Sequence, residues 1–147
     1  MDRHRFFAGV RIGMVTWAAT SGALVGFGLR YGDAAGPFAR FGAGMLAAAG
    51  VPRPSSALAV VVGLAGHVVW MSAWSVGYAA IATSLRAIPA FVVALLLSLA
   101  AMVISGWWLP AALGAVRSAM LAPMQLALIL TVMAASMVMS RTVASAR

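Results

Sequence analysis

The chain has no cysteine, no lysine, no glutamate and no asparagine, and its only acids are Asp2 and Asp33. Each absence closes off a class of chemistry. Without cysteine there is no disulfide, thiolate nucleophile, iron–sulfur cluster or cysteine-held zinc. Without lysine there is no glycine-rich phosphate loop of the usual kind. With only His4 and His67 beside the two aspartates, a protein-only metal site is not expected. No acid falls inside an apolar segment, so a carboxylate-coupled antiporter has no coupling residue. No Ser-His-Asp or Glu-His set is available for hydrolysis. No catalytic residue is singled out, and a non-enzymatic protein is expected. No cofactor follows from the composition.

Charge as a whole is scarce. Charged residues make up 8% of the 147, hydrophobic residues 64%, and the mean hydropathy is +1.04. A soluble domain carries about 25% charged residues and about 45–50% apolar ones. Too little charge remains to cover a water-facing surface. A soluble enzyme, a disordered chain and a coiled coil are excluded on that ground, and a membrane-embedded protein is left.

All ten basic residues are arginine, and the net charge is +8. They sit singly at the ends of apolar segments, as arginines do when they anchor helices at anionic headgroups. There is no basic stripe and no aromatic-interleaved basic run, so nucleic acid is not an expected partner. The lipid bilayer is, together with other membrane subunits or further copies of the chain. The wealth of Ala, Gly, Val and Arg suggests a GC-rich bacterial genome.

A helix needs about 20 mainly apolar residues to cross the hydrocarbon core. Four stretches qualify, at about 12–29, 57–85, 88–109 and 119–139. The expected fold is all-α: one polytopic domain of four transmembrane helices over residues 1–147. Pro54-Ser55-Ser56 supplies a turn and an N-cap hydroxyl before the second span. Arg86 and Pro89 separate the second from the third, leaving a connection short enough for an antiparallel hairpin. Trp107-Trp108 reads as an interfacial aromatic pair. Pro123 is expected to bend the fourth span near Ala119. Between the first two spans, 37–49 reads as a short helix: Pro37 opens it, Gly50 ends it and Pro52 follows. It is too short to span, and lying flat at the interface is favoured over a re-entrant dip. Arg3, Arg5 and Arg11 beside Phe6-Phe7 read as an interfacial anchor. Asp33 spoils the small-residue site near Ala34-Ala35, so the first span is read as retained and not as a cleaved signal peptide.

His67 is the most suggestive residue. It lies near the middle of the second span, on a face shared with Gly63, Trp70, Met71, Trp74 and Tyr78. A small residue one turn before a histidine leaves room for a flat macrocycle. Over this one helix the spacing loosely resembles the membrane helices of bacterial light-harvesting polypeptides, and that resemblance implies a pigment or haem ligand at His67. The plainer reading weighs more: a neutral histidine bonded to a Ser, Thr or Gln of a neighbouring helix. Gln125, the only glutamine, shares a face of the fourth span with Ser118, Ser136 and Ser140, and an amide facing lipid costs several kcal/mol. That face is expected to point inward, for interhelical hydrogen bonds before a polar path. Arg117 is expected to snorkel to the outer interface; a buried cation for an anionic substrate is the alternative.

Small residues let helix backbones approach where no hydrophobic effect drives association. The first span carries two such faces: Gly9, Gly13, Thr16 and Thr20 on one, and the Gly22-x-x-x-Gly26 pair on another. Gly22, Gly26 and Gly63 are the expected packing glycines. The fourth-span methionines, Met120, Met124, Met133, Met137 and Met139, form no single stripe and read as flexible packing. The functional expectation is an accessory or structural subunit of a membrane assembly. The alternatives are a small homo-oligomeric transporter or channel using His67, Gln125 and Arg117, and a haem- or pigment-binding subunit.

The arginines also set a sidedness. With the N-terminus inside, Arg3, Arg5, Arg11, Arg86, Arg141 and Arg147 fall on the inner face and Arg30, Arg40, Arg53 and Arg117 on the outer. The richer side is the cytoplasmic side of an inner (plasma) membrane. Reporter fusions after Ser56 and after Arg147 are therefore expected on opposite sides. Finding both on one side removes the four-span topology.

Overall fold

The computed structural model describes residues 3–82, 84–104 and 123–145. Among these there are five helices and no strand: α1 (Arg3–Arg30), α2 (Gly36–Ala48), α3 (Ser56–Ala82), α4 (Ala87–Val103) and α5 (Pro123–Ser145). Residues 105–122, which include Trp107, Trp108, Arg117, Ser118 and Met120, lie outside the described residues, as does the expected bend near Ala119.

The helix ends have local causes. α1 stops where Gly32 takes φ +75 and the Asp33 N–H bonds to Gly28 O at 2.9 Å. Pro37 sits in the first turn of α2, and Gly50 at φ +85 ends it. There the Gly50 N–H reaches Ala47 O and the Val51 N–H reaches Leu46 O at 2.8 Å. Only glycine adopts such a φ at no steric cost. Ser55 Oγ accepts the Leu58 N–H at 3.3 Å and opens α3. Arg86 is extended ahead of α4, and Pro89 falls in its first turn, where no N–H is missed.

α1 is longer than the expected first span, because Arg3 and Arg5 join the helix instead of preceding it as a separate anchor. At 1.5 Å per residue its 28 residues reach about 42 Å. That exceeds the thickness of a hydrocarbon core, about 30 Å. α1 and α3 are long and apolar enough to cross a membrane. α4 and the stretch Ala127–Arg141 are apolar but shorter.

α1 and α3 are antiparallel and make the most extensive contact among the described helices. Gly9 faces Val76 and Gly13 faces Ser72, each with its partner's backbone against it. α2 covers α3 from Ala59 to Gly66, with Gly42 and Gly63 at the crossing. α5 packs on α1 and on α4. The connection from α3 to α4 is short, as expected, but α4 gives more of its surface to α5 than to α3. α1 and α2 already occupy much of α3, so the alanine ridge of α4 finds a different neighbour.

The core is built of small residues. Ala79, Ala82, Ala90, Ala94, Ala101 and Ala134 are buried with Ile12, Met71, Tyr78, Met133 and Met137. Large aliphatic side chains point outward instead: Val69 is 68% exposed, Leu96 58% and Ile88 80%. Only 28% of the most apolar stretch of α1 and 22% of that of α3 are buried inside the molecule.

The Gly22–Gly26 pair packs against none of the described residues. Both glycines are exposed, and a methyl added to either meets nothing within 4 Å. The packed face of α1 is the one bearing Gly9 and Gly13. Gly63 does pack, and a methyl there would strike the Phe38 carbonyl and lie 3.1 Å from Gly42 N. These are backbone atoms, which cannot rotate away. Gly63→Ala is therefore expected to lower the thermal midpoint in detergent, by an amount corresponding to about 1–3 kcal/mol of overpacking. Gly22→Ala with Gly26→Ala should not lower the midpoint of the isolated chain, since a methyl there meets no described atom and Ala is the better helix former. Equal effects at the two places would show that the glycine crossing is not what holds α2.

Candidate functional site

A histidine between apolar helices needs a polar partner, because an unmet donor in the interior costs free energy. α3 carries His67 on its buried face toward α1, and α1 presents Thr20 there. Thr20 Oγ1 lies 3.0 Å from His67 Nε2 and is itself fully buried. Thr20 has one hydroxyl proton, and the carbonyl of Thr16 stands 2.8 Å away, one turn back. On that pairing the ring proton is on Nε2 and donates to Thr20 Oγ1.

The polar contact continues from α1 into α5. Ser136 Oγ lies 3.2 Å from Thr16 Oγ1 and also bonds to Met133 O at 2.9 Å. Ser140 Oγ donates to Ser136 O at 2.6 Å. His67, Thr20, Thr16, Ser136 and Ser140 thus line a seam where α3, α1 and α5 meet. Thr20, Ser136 and Ser140 each have a carbonyl of their own helix within 2.9 Å. Protons held there are not free to pass along a hydroxyl wire. The seam's chemistry is cross-linking, with one neutral imidazole at its α3 end.

The space over Gly63 is occupied. The backbone of Phe38 and Gly42 fills it, and the Phe38 ring centroid lies 5.9 Å from that of His67. A macrocycle seated on His67 would have to displace α2. The small residue before His67 serves the approach of a second helix, which the spacing alone did not distinguish. On the same face Met71 and Tyr78 are buried, and Trp70 meets Trp74 edge to face at 5.7 Å.

Of the other candidate residues, Gln125 lies away from this seam. Gln125 is half-buried in the first turn of α5, about 16 Å along the axis from Ser136 at 1.5 Å per residue. Arg117 lies outside the described residues. Thr16 and Thr20, read from sequence as packing residues, are the polar partners that His67 and Ser136 use. Their signal was present: two threonines at i and i+4 on the glycine face. Ser75 and Ser98 were missed altogether. Both are fully buried, and neither hydroxyl has a hydrogen-bond partner among the described residues. Ser98 stands alone in an Ala/Val/Leu run, which is the trace it leaves in sequence.

At the far end of α3, Arg141 of α5 donates through Nη2 to Leu85 O, in the turn before α4. Its guanidinium also lies within electrostatic reach of the buried Tyr78 hydroxyl. That hydroxyl makes no hydrogen bond of full geometry. No protein-family model, no curated protein and no solved structure matches this chain.

The Thr20–His67 contact is measurable. A double-mutant cycle with Thr20→Val and His67→Leu is expected to give a coupling of about 0.6 kcal/mol, the average for hydrogen bonds between membrane helices. His67→Gln should keep the fold, since an amide N–H can replace the ring N–H. Collapse of the fold in His67→Gln would contradict the cross-linking role.

Proposed function

We propose that this chain is a polytopic membrane protein acting as a non-enzymatic accessory or structural subunit of a membrane assembly. The membrane reading is supported by the distribution of side chains, with the buried positions dominated by Ala, Gly, Ser, Thr and Met while most Val and Leu and several Ile face outward. In water that outward surface would be a large aggregation liability; in lipid it is the solvated face. Four crossings with both termini on the cytoplasmic side of the inner membrane fit the arginine split. Gathering the start of α1, the α3–α4 turn and the end of α5 at one end of the bundle fits it too.

The observation that carries the subunit reading is the Gly22–Gly26 face of α1, which no described residue covers. The opposite face of the same helix shows what paired small residues do when a partner is present, because Gly9 and Gly13 bring α3 to backbone contact. A second reading, a small homo-oligomeric transporter or channel, is favoured by Ser75 and Ser98, whose buried hydroxyls lack partners among the described residues.

Native mass measurement after extraction in mild detergent separates these. A subunit is expected in a complex heavier than one 15.1 kDa chain, with other polypeptides present. Gly22→Leu with Gly26→Leu should release the chain without lowering its own thermal midpoint. A complex of this chain alone that conducts solute in liposomes would favour the second reading. A lone chain in all conditions would remove both.

A further inference from the structure

Antiparallel packing of α1 on α3 sets a register. Gly9 lies against Val76 and Gly13 against Ser72, so the same register brings Arg5 level with Ala80 and Arg3 level with Ala82. One turn further along is the α3–α4 connection, which carries Arg86. Arg141 reaches the same place from α5 through its bond to Leu85 O. Four arginines from three separate parts of the chain thus gather at one end of the bundle. Arg3, Arg5 and Arg86 are exposed there, and Arg141 is half-buried.

Nothing described at that end balances them. The single described acid, Asp33, sits beside Gly28 and Gly36 at the other end of α1. α4 begins within the cluster with no side-chain cap and no acid in its first turn. Its Ala87 and Ile88 N–H groups and the positive end of its dipole add to the same field. Arg141 spends one of its five N–H donors on Leu85 O, and its position beside the buried Tyr78 hydroxyl keeps it at the rim of the apolar core.

We propose that this end of the bundle, through Arg3, Arg5, Arg86 and Arg141, holds the headgroups of anionic phospholipids. A guanidinium pairs with phosphate through two parallel N–H bonds, which a lone ammonium does not reproduce. Outward-facing apolar side chains on the adjoining helices, Ile81 and Ile88 among them, lie where the acyl chains of such a lipid would run. The proposal rests on the membrane reading and makes it specific to one end and one headgroup charge.

The test uses the full chain purified in detergent, with lipid retention read by native mass spectrometry and stability by thermal midpoint. Phosphatidylglycerol should remain bound and raise the midpoint, as a ligand of the folded state does. Phosphatidylcholine should do neither. Arg86→Gln and Arg5→Gln should each weaken phosphatidylglycerol retention about fivefold, the factor for one arginine near an anionic surface. Arg30→Gln and Arg53→Gln, at the opposite end, should leave it unchanged. Arg141→Lys keeps the charge and loses the two-pronged pairing, and should weaken retention without unfolding the chain. Equal retention of both lipids, equal loss from substitutions at either end, or equal stabilisation by inorganic phosphate would each overturn the proposal. Failure of the membrane reading is seen separately, as release of the chain from native membranes by alkaline carbonate.

Discussion

The approach of α1 to α3 at Gly9 and Gly13 is the contact on which the other interactions depend. With no side chain on either glycine, the Val76 and Ser72 backbones come against α1 directly. Only at that separation can Thr20, on the same face of α1, reach the His67 ring at 3.0 Å. Thr16, one turn earlier, is then turned toward α5, where Ser136 meets it. α3 is left with a different face for α2, and the Gly42–Gly63 crossing uses it. α4 completes the bundle through α5, which is why its alanines and not its leucines are buried.

On the membrane reading proposed above, the balance of forces differs from that of a water-soluble helical bundle. Where lipid tails lie outside, burying a leucine gains little over leaving it exposed. Stability then comes from close contact of many atoms and from hydrogen bonds that need no exchange with water. Both favour small residues at the crossings. Ala82, Ala90 and Ala94 are wholly enclosed while Ile88 is 80% exposed in the same region of the chain. The hydroxyls of the seam are matched by carbonyls of their own helices and by one another.

Much of this was legible in the sequence. The ends of α2, the Ser55 cap, the short α3–α4 connection and the inward position of His67 all follow from residue types at fixed spacings. Gly63 was also legible as a place of close approach, but what approaches was not: a flat ring and a helix backbone need the same missing side chain. The two glycine faces of α1 looked equivalent, yet one packs against α3 and the other meets none of the described residues. Thr20 could be seen to share a face with Gly9 and Gly13, but nothing in a one-dimensional pattern pairs residue 20 with residue 67.

What the sequence by itself determined is the helical, apolar character of the chain, its punctuation by Pro, Gly and Ser, and the concentration of charge at the helix ends. Those properties are set by neighbours within a few residues or by composition. What only the tertiary structure decided is which helix face meets which partner. That choice depends on the mutual fit of surfaces from distant parts of the chain, where a single methyl at Gly42 or Gly63 would collide with backbone. Periodicity marks a face as small or polar; the packing of a second helix against it gives that face its role.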